Sequence, residues 1–139
     1  MVLLIAVSGS IFLLFGALHG ALTLRDLRHP RAFTPPDAAL RLAMQQSTIR
    51  LDPTINLWRA WLGFNLTHSL GLMMFGGALL YVALSAPATF AASVALQAVA
   101  IAIAAIYLAI SRNYFFARPT IGSAVGLGCL VLAGLLAWI

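Results

Sequence analysis

The stretch "VLLIAVSGSIFLLFGALHGALTL", Val2–Leu24, contains no charged residue, and the "RDLRHPR" that follows it, Arg25–Arg31, contains three arginines. At about 1.5 Å of rise per residue, a helix over this run is long enough to cross about 30 Å of hydrocarbon. A secretory signal would place its cations before the apolar run, whereas here they come after it, so the stretch reads as a first transmembrane helix. Three further apolar runs are long enough to cross it too: Trp58–Leu84, Ala88–Ile110 and Thr120–Ile139. With 63% hydrophobic and 8% charged residues in 139, the chain lies outside the composition of soluble domains.

The expected fold is therefore all-α, an integral membrane bundle of four transmembrane helices with up-and-down topology. The helices are expected at about 2–24, 53–84, 88–111 and 119–139 of a single domain over 1–139. An arginine-rich loop, 25–52, should join the first two.

Charge sets the expected orientation. All eight cations are arginines, placed at or between runs one and two (Arg25, Arg28, Arg31, Arg41, Arg50, Arg59) or three and four (Arg112, Arg118). Four crossings put those two connections on one side, so the positive-inside rule predicts that both termini lie on the non-cytoplasmic side. The chain uses arginine without lysine or glutamate, and the expected location is a bacterial cytoplasmic (inner) membrane, multi-pass. In this setting the net charge of +5 points to anionic lipid and not to nucleic acid, with Arg25, Arg28, Arg31 and Arg41 as candidate headgroup contacts.

Within the loop, "TPPDAALRLAMQQ" predicts a short helix with Thr34 as N-cap, Pro35 at N1 and Asp37 at N3. "LDPTINLWRAW" predicts that the second long helix starts at Pro53 behind an Asp52 cap. Trp58, Trp61, Tyr114, Phe115 and Phe116 suggest one interfacial belt, and Tyr81, Phe90 and Trp138 the other. Small residues recur at packing intervals: Gly9, Gly16 and Gly20; Gly63, Thr67 and Gly71; an alanine seam at Ala91, Ala95, Ala98, Ala102, Ala105 and Ala109; and a GxxxG pair, Gly122 and Gly126. The lone Cys129 cannot form an internal disulfide and reads as a packing residue.

Polar residues inside the runs are the functional candidates, because ionisable groups are expensive in lipid. His19, Asn65, His68 and Ser69, with Tyr107 and Arg112, form a candidate ligand or cofactor pocket. Counted from Arg59 and Arg25, His68 lies about 13 Å deep, and Asn65 and His19 about 9 Å. Three uses compete with plain structural satisfaction of these groups. His19 and His68 could ligate a haem iron or another metal; one of them could ligate a pigment magnesium; or His68 and Asn65 could hydrogen-bond a quinone, isoprenoid or lipid whose anionic head meets Arg112. No residue is assigned a catalytic role and no metal site is assigned.

The absences weigh against an enzyme. No carboxylate lies within an apolar run, and there is no Cys-x-x-Cys, no Gly-x-Ser-x-Gly and no glycine-rich phosphate loop. "WLGFNLTHSLG" together with "HGALTL" resembles small uncharacterised bacterial four-helix integral membrane proteins. That resemblance implies the topology and the pairing of His19 with the Asn65–His68 segment, and it implies no activity. The functional expectation is an accessory or structural subunit of a larger membrane complex, partnered by lipids and other transmembrane subunits. The alternative is a small membrane enzyme or binding protein for a hydrophobic substrate, built on the histidine pocket.

Overall fold

The computed structural model describes residues 1–138. It is all-α apart from one small hairpin, and four of its helices are long and apolar enough to cross a membrane. These are α1 (Val2–Asp26), α3 (Leu57–Ser85), α5 (Val94–Tyr114) and α6 (Ala117–Leu136). The shorter elements are α2 (Ala38–Gln46), α4 (Pro87–Ala92) and the antiparallel pair β1 (Thr48–Ile49) and β2 (Asp52–Asn56). The chain is a multi-pass membrane protein.

Four element boundaries depart from the sequence reading, each for a local reason. The second long helix starts at Leu57, four residues after Pro53, because 52–56 is extended and paired with β1. Asp52 does not cap it: its carboxylate accepts from the Thr54 hydroxyl (2.7 Å) and amide (2.9 Å), which holds its pKa below the usual carboxylate value. Asn56 takes over as cap, its Oδ1 accepting from the Arg59 amide at 2.9 Å.

The loop helix starts after Asp37, whose side chain accepts from the Ala39 amide. Thr34 is not its cap, because the Thr34 hydroxyl donates to Asp26, and Pro36 disfavours helical backbone at Pro35.

The third long helix is interrupted at Ser93. The Ser93 Oγ accepts from the Leu96 amide to start α5, while Gln97 donates to the terminal carbonyls of α4 at Phe90 (2.8 Å) and Ala91 (3.2 Å). Finally, α1 runs on to Asp26, so a carboxylate does belong to a spanning helix.

The chain divides into two compact units, one formed by Met1–Phe15 with the chain from Leu72 onward, the other by Gly16–Gly71. In the first, the core is apolar: Ile5, Phe12, Leu72, Leu79, Ala83, Phe90, Ala100, Ala104, Leu130 and Ala133. Phe90 is fully buried there and so is not part of an interfacial belt. Phe12 meets Phe75 edge-on at 4.9 Å and Tyr107 at 5.6 Å.

Glycines let these helices approach. A Cβ on Gly9 would lie 2.9 Å from the Gly76 carbonyl oxygen, one on Gly76 would strike the Leu13 backbone, and Gly122 and Gly126 receive the rings of Phe15 and Phe12. Among the described residues, Ser8 Oγ is the buried side-chain polar atom without a hydrogen-bond partner.

The alanine seam expected on the third helix faces outward, with Ala95, Ala98, Ala102 and Ala109 exposed. Its buried seam is Gln97, Ala100, Ala104 and Ser111. Gly63 and Thr67 on α3 are likewise exposed, and the inward face there is Asn65, Ser69 and Leu72. In each case a stripe of small residues was expected to face inward. The polar side chains take that face, because burying their hydrogen-bonding groups against protein partners is favoured over exposing them to lipid.

Candidate functional site

The polar cluster lies within the Gly16–Gly71 unit, at the ends of α1 and α3 that flank the extramembrane loop. His19 and Asn65 are joined by a hydrogen bond, His19 Nε2 to Asn65 Oδ1 at 3.0 Å. Asn65 Nδ2 donates in turn to the Trp61 carbonyl at 2.8 Å. The second bond fixes the first: with its amide nitrogen committed to a carbonyl, Asn65 offers His19 only an acceptor, so His19 carries a proton on Nε2. Nδ1 is then the acceptor of the neutral ring. His68 meets His19 edge-to-face, with ring centroids 5.2 Å apart.

Ser69 secures the helix pair beside this cluster. Its hydroxyl donates to the Gly16 carbonyl at 2.6 Å, and it occupies the space a side chain at Gly20 would need. Thr23 returns its hydroxyl to the His19 carbonyl, and Thr67 does the same to Phe64.

A residue missed by the sequence reading organises the approach to the cluster. Asp26 is 2% exposed, and its carboxylate accepts from the amides of Arg31 (3.0 Å), Ala32 (2.9 Å) and Phe33 (2.6 Å) and from the Thr34 hydroxyl (3.0 Å). Four charge-assisted bonds to one group fold the chain back immediately after α1. Phe33 is thereby laid over His19, ring centroids 4.4 Å apart, and its carbonyl accepts from Trp61 Nε1 at 3.2 Å. The available signal was numerical: Asp26 is one of only three acids in the chain, and it stands between arginines.

The other pocket candidates belong to the first unit. Tyr107 packs with Phe12 and Phe75, and Arg112 is exposed in the last turn of α5. Of the candidate headgroup residues, Arg25 and Arg28 line a groove at the end of α1. Arg31 is exposed in the Asp26 turn, and Arg41 is half-buried on α2.

The geometry does not fit two-histidine axial ligation. The His19 Nε2 is engaged by Asn65, and a macrocycle would have to lie between rings whose centroids are 5.2 Å apart. Among the described residues there is no group of three His, Cys, Asp or Glu side chains placed to hold a metal ion. What the cluster offers is a half-buried pair of imidazoles, one held in a defined tautomer, under an aromatic cover. Such a site can accept or donate hydrogen bonds to a neutral polar group.

The chain matches no family model, no curated protein and no solved structure.

Proposed function

We propose that the protein is an accessory subunit of a larger assembly in a bacterial cytoplasmic membrane, with its arginine-rich loop in the cytoplasm and both termini outside. The observation that supports this reading is the outward placement of small residues. On α5, Ala95, Ala98, Ala102 and Ala109 are exposed opposite the buried seam. On α3 and α6, Cβ atoms at Gly63 and Gly128 would meet nothing. Lipid chains gain little from small side chains, whereas another transmembrane helix gains close backbone approach. That all eight arginines fall at or between runs one and two or runs three and four supports the orientation.

The test is native mass spectrometry of the protein extracted gently from its own membranes. A complex of defined stoichiometry, lost in the Ala98→Leu/Ala102→Leu variant, is the expected result. A protein that runs alone, with or without that variant, overturns the assembly reading.

A second reading rests on the Trp61–Asn65–His19 hydrogen-bond chain. A ring held in one tautomer beside a second histidine suits recognition of the hydroxyl or carbonyl of a quinone, isoprenoid or lipid. In the same spectra, a discrete added mass that disappears with Asn65→Leu and His68→Ala would support this binding role.

A further inference from the structure

A groove of about 500 Å³ at the end of α1 is lined by Leu24 and Arg25 of its last turn and by Leu27, Arg28 and His29 just beyond it. We propose that this groove is a binding site for one anionic phospholipid, its phosphate held by Arg25 and Arg28 and an acyl chain lying along the helix below them. The proposal rests on α1 being a membrane span and is independent of the assembly reading.

Three observations converge on it. The first is the placement of the groove. Ala17, Ala21, Leu24 and Arg28 follow at steps of four, three and four, and all are exposed. At about 100° per residue Ala17, Ala21 and Leu24 form one stripe on the side of α1 opposite Thr23 and Asp26, and Arg28 stands in the turn that follows the helix. This stripe faces lipid, and it passes from small residues through leucine to arginine in the direction a lipid passes from chain to headgroup.

The second is the state of the acids. All three carboxylates are engaged by the chain itself: Asp26 by three amides and Thr34, Asp37 by Ala39, and Asp52 by Thr54. Asp26, which stands between Arg25 and Arg28 in the sequence, thus has both oxygens turned into its own loop, while Arg25 and Arg28 are exposed to an anion outside the chain. A phosphodiester at the bilayer edge is the anion nearest to a helix end, and guanidinium is suited to hold it through paired N–H donors.

The third is the local backbone. The Arg25 carbonyl is already taken by the amides of Arg28 (3.0 Å) and His29 (2.8 Å). That carbonyl is therefore not a free acceptor facing an anion beside Arg25 and Arg28.

The test uses the full-length protein in nanodiscs of phosphatidylglycerol and phosphatidylcholine with matched acyl chains, ejected into a native mass spectrometer. Retained phosphatidylglycerol should exceed phosphatidylcholine by roughly thirtyfold, the order expected for two arginines at a charged interface. Arg25→Gln/Arg28→Gln should abolish that preference, with Arg28→Gln alone serving if the double variant does not fold. Arg50→Gln/Arg118→Gln, which removes the same charge elsewhere in the chain, should leave it intact. Equal retention of the two lipids overturns the proposal, as does an equal loss in both double variants, which would indicate general charge attraction. Displacement of phosphatidylglycerol by millimolar inorganic phosphate would also overturn it, since the ligand would then be a soluble anion.

Discussion

The two units of the chain bury different kinds of residue. In the unit of Met1–Phe15 and the chain from Leu72 onward, the buried side chains are mainly aliphatic and aromatic, and the helices approach on glycine. In Gly16–Gly71, the buried residues are Gly16, Thr23, Asp26, Asn65 and Ser69, and no apolar side chain is among them in the described residues. Lipid is as apolar as leucine, so neither unit gains a hydrophobic drive from helix pairing inside the membrane. The first must rely on fit and the second on hydrogen bonds. Mutations should therefore act by steric conflict in one unit and by loss of polar partners in the other.

The largest effect is expected where backbone meets backbone. Gly76→Ala places a methyl group against the Leu13 backbone and the Gly9 carbonyl, which cannot move aside as a side chain can. Overpacking of this kind should cost about 3 kcal/mol or more, measured as loss of folded protein in detergent unfolding. Gly122→Ala meets the ring of Phe15 and should cost less, while Gly128→Ala meets nothing within 4 Å and should leave the isolated chain unchanged. If all three behave alike, packing of the first unit does not depend on fit.

In the second unit the largest effect should come from Asp26. Asp26→Ala removes the acceptor of four hydrogen bonds and should cost about 2–3 kcal/mol. Limited proteolysis within 27–36 should quicken, and Phe33 should leave His19. Asp26→Asn keeps one acceptor oxygen and should fall between. An Asp26→Ala protein with unchanged stability and unchanged loop protection would show that the turn is held by something other than the carboxylate.

Asn65→Ala should have a smaller effect, about 1 kcal/mol, the scale of a hydrogen bond between helices in a membrane. Its more diagnostic consequence is at His19. Without Asn65 the ring loses the partner that fixes its proton on Nε2, so the imidazole nitrogen resonances should show tautomer exchange. A His19 spectrum identical to wild type would mean that the Asn65 contact does not set the tautomer.

The contrast between the units also explains what could be read from the sequence. The four spans were legible because length and hydrophobicity alone define them, and the glycine face Gly9, Gly16 and Gly20 was legible because helical spacing is regular. The alanine stripe of α5 and the Gly63–Thr67 face were read inside out. Spacing identifies a face but does not say whether protein or lipid covers it, and here Gln97, Asn65 and Ser69 decided the matter by needing partners. The Ser93 break and the 48–56 hairpin depend on single side-chain caps that compete with equally plausible ones nearby. His19 lies against Asn65 and His68. Asp26 was hidden because its partners are backbone amides, which no residue type announces.

The smallest expected effect has the opposite sign and sits where the two modes of packing meet in one residue. Ser8 belongs to the apolar unit yet carries a hydroxyl that is fully buried and unpartnered, with its oxygen 3.4 Å from the position of a Cβ on Gly126. A buried polar atom without a partner costs free energy, while the serine's small volume is what lets α1 lie close to α6. Ser8→Ala keeps the volume and removes the polar atom, so it should stabilise the protein by about 0.5 kcal/mol. Ser69→Ala makes the same chemical change in the other unit, where the hydroxyl donates to Gly16, and it should destabilise. Unfolding of the two variants side by side is a direct test of the comparison. If both lose stability equally, Ser8 has a partner in the membrane, and the first unit is not held by fit alone.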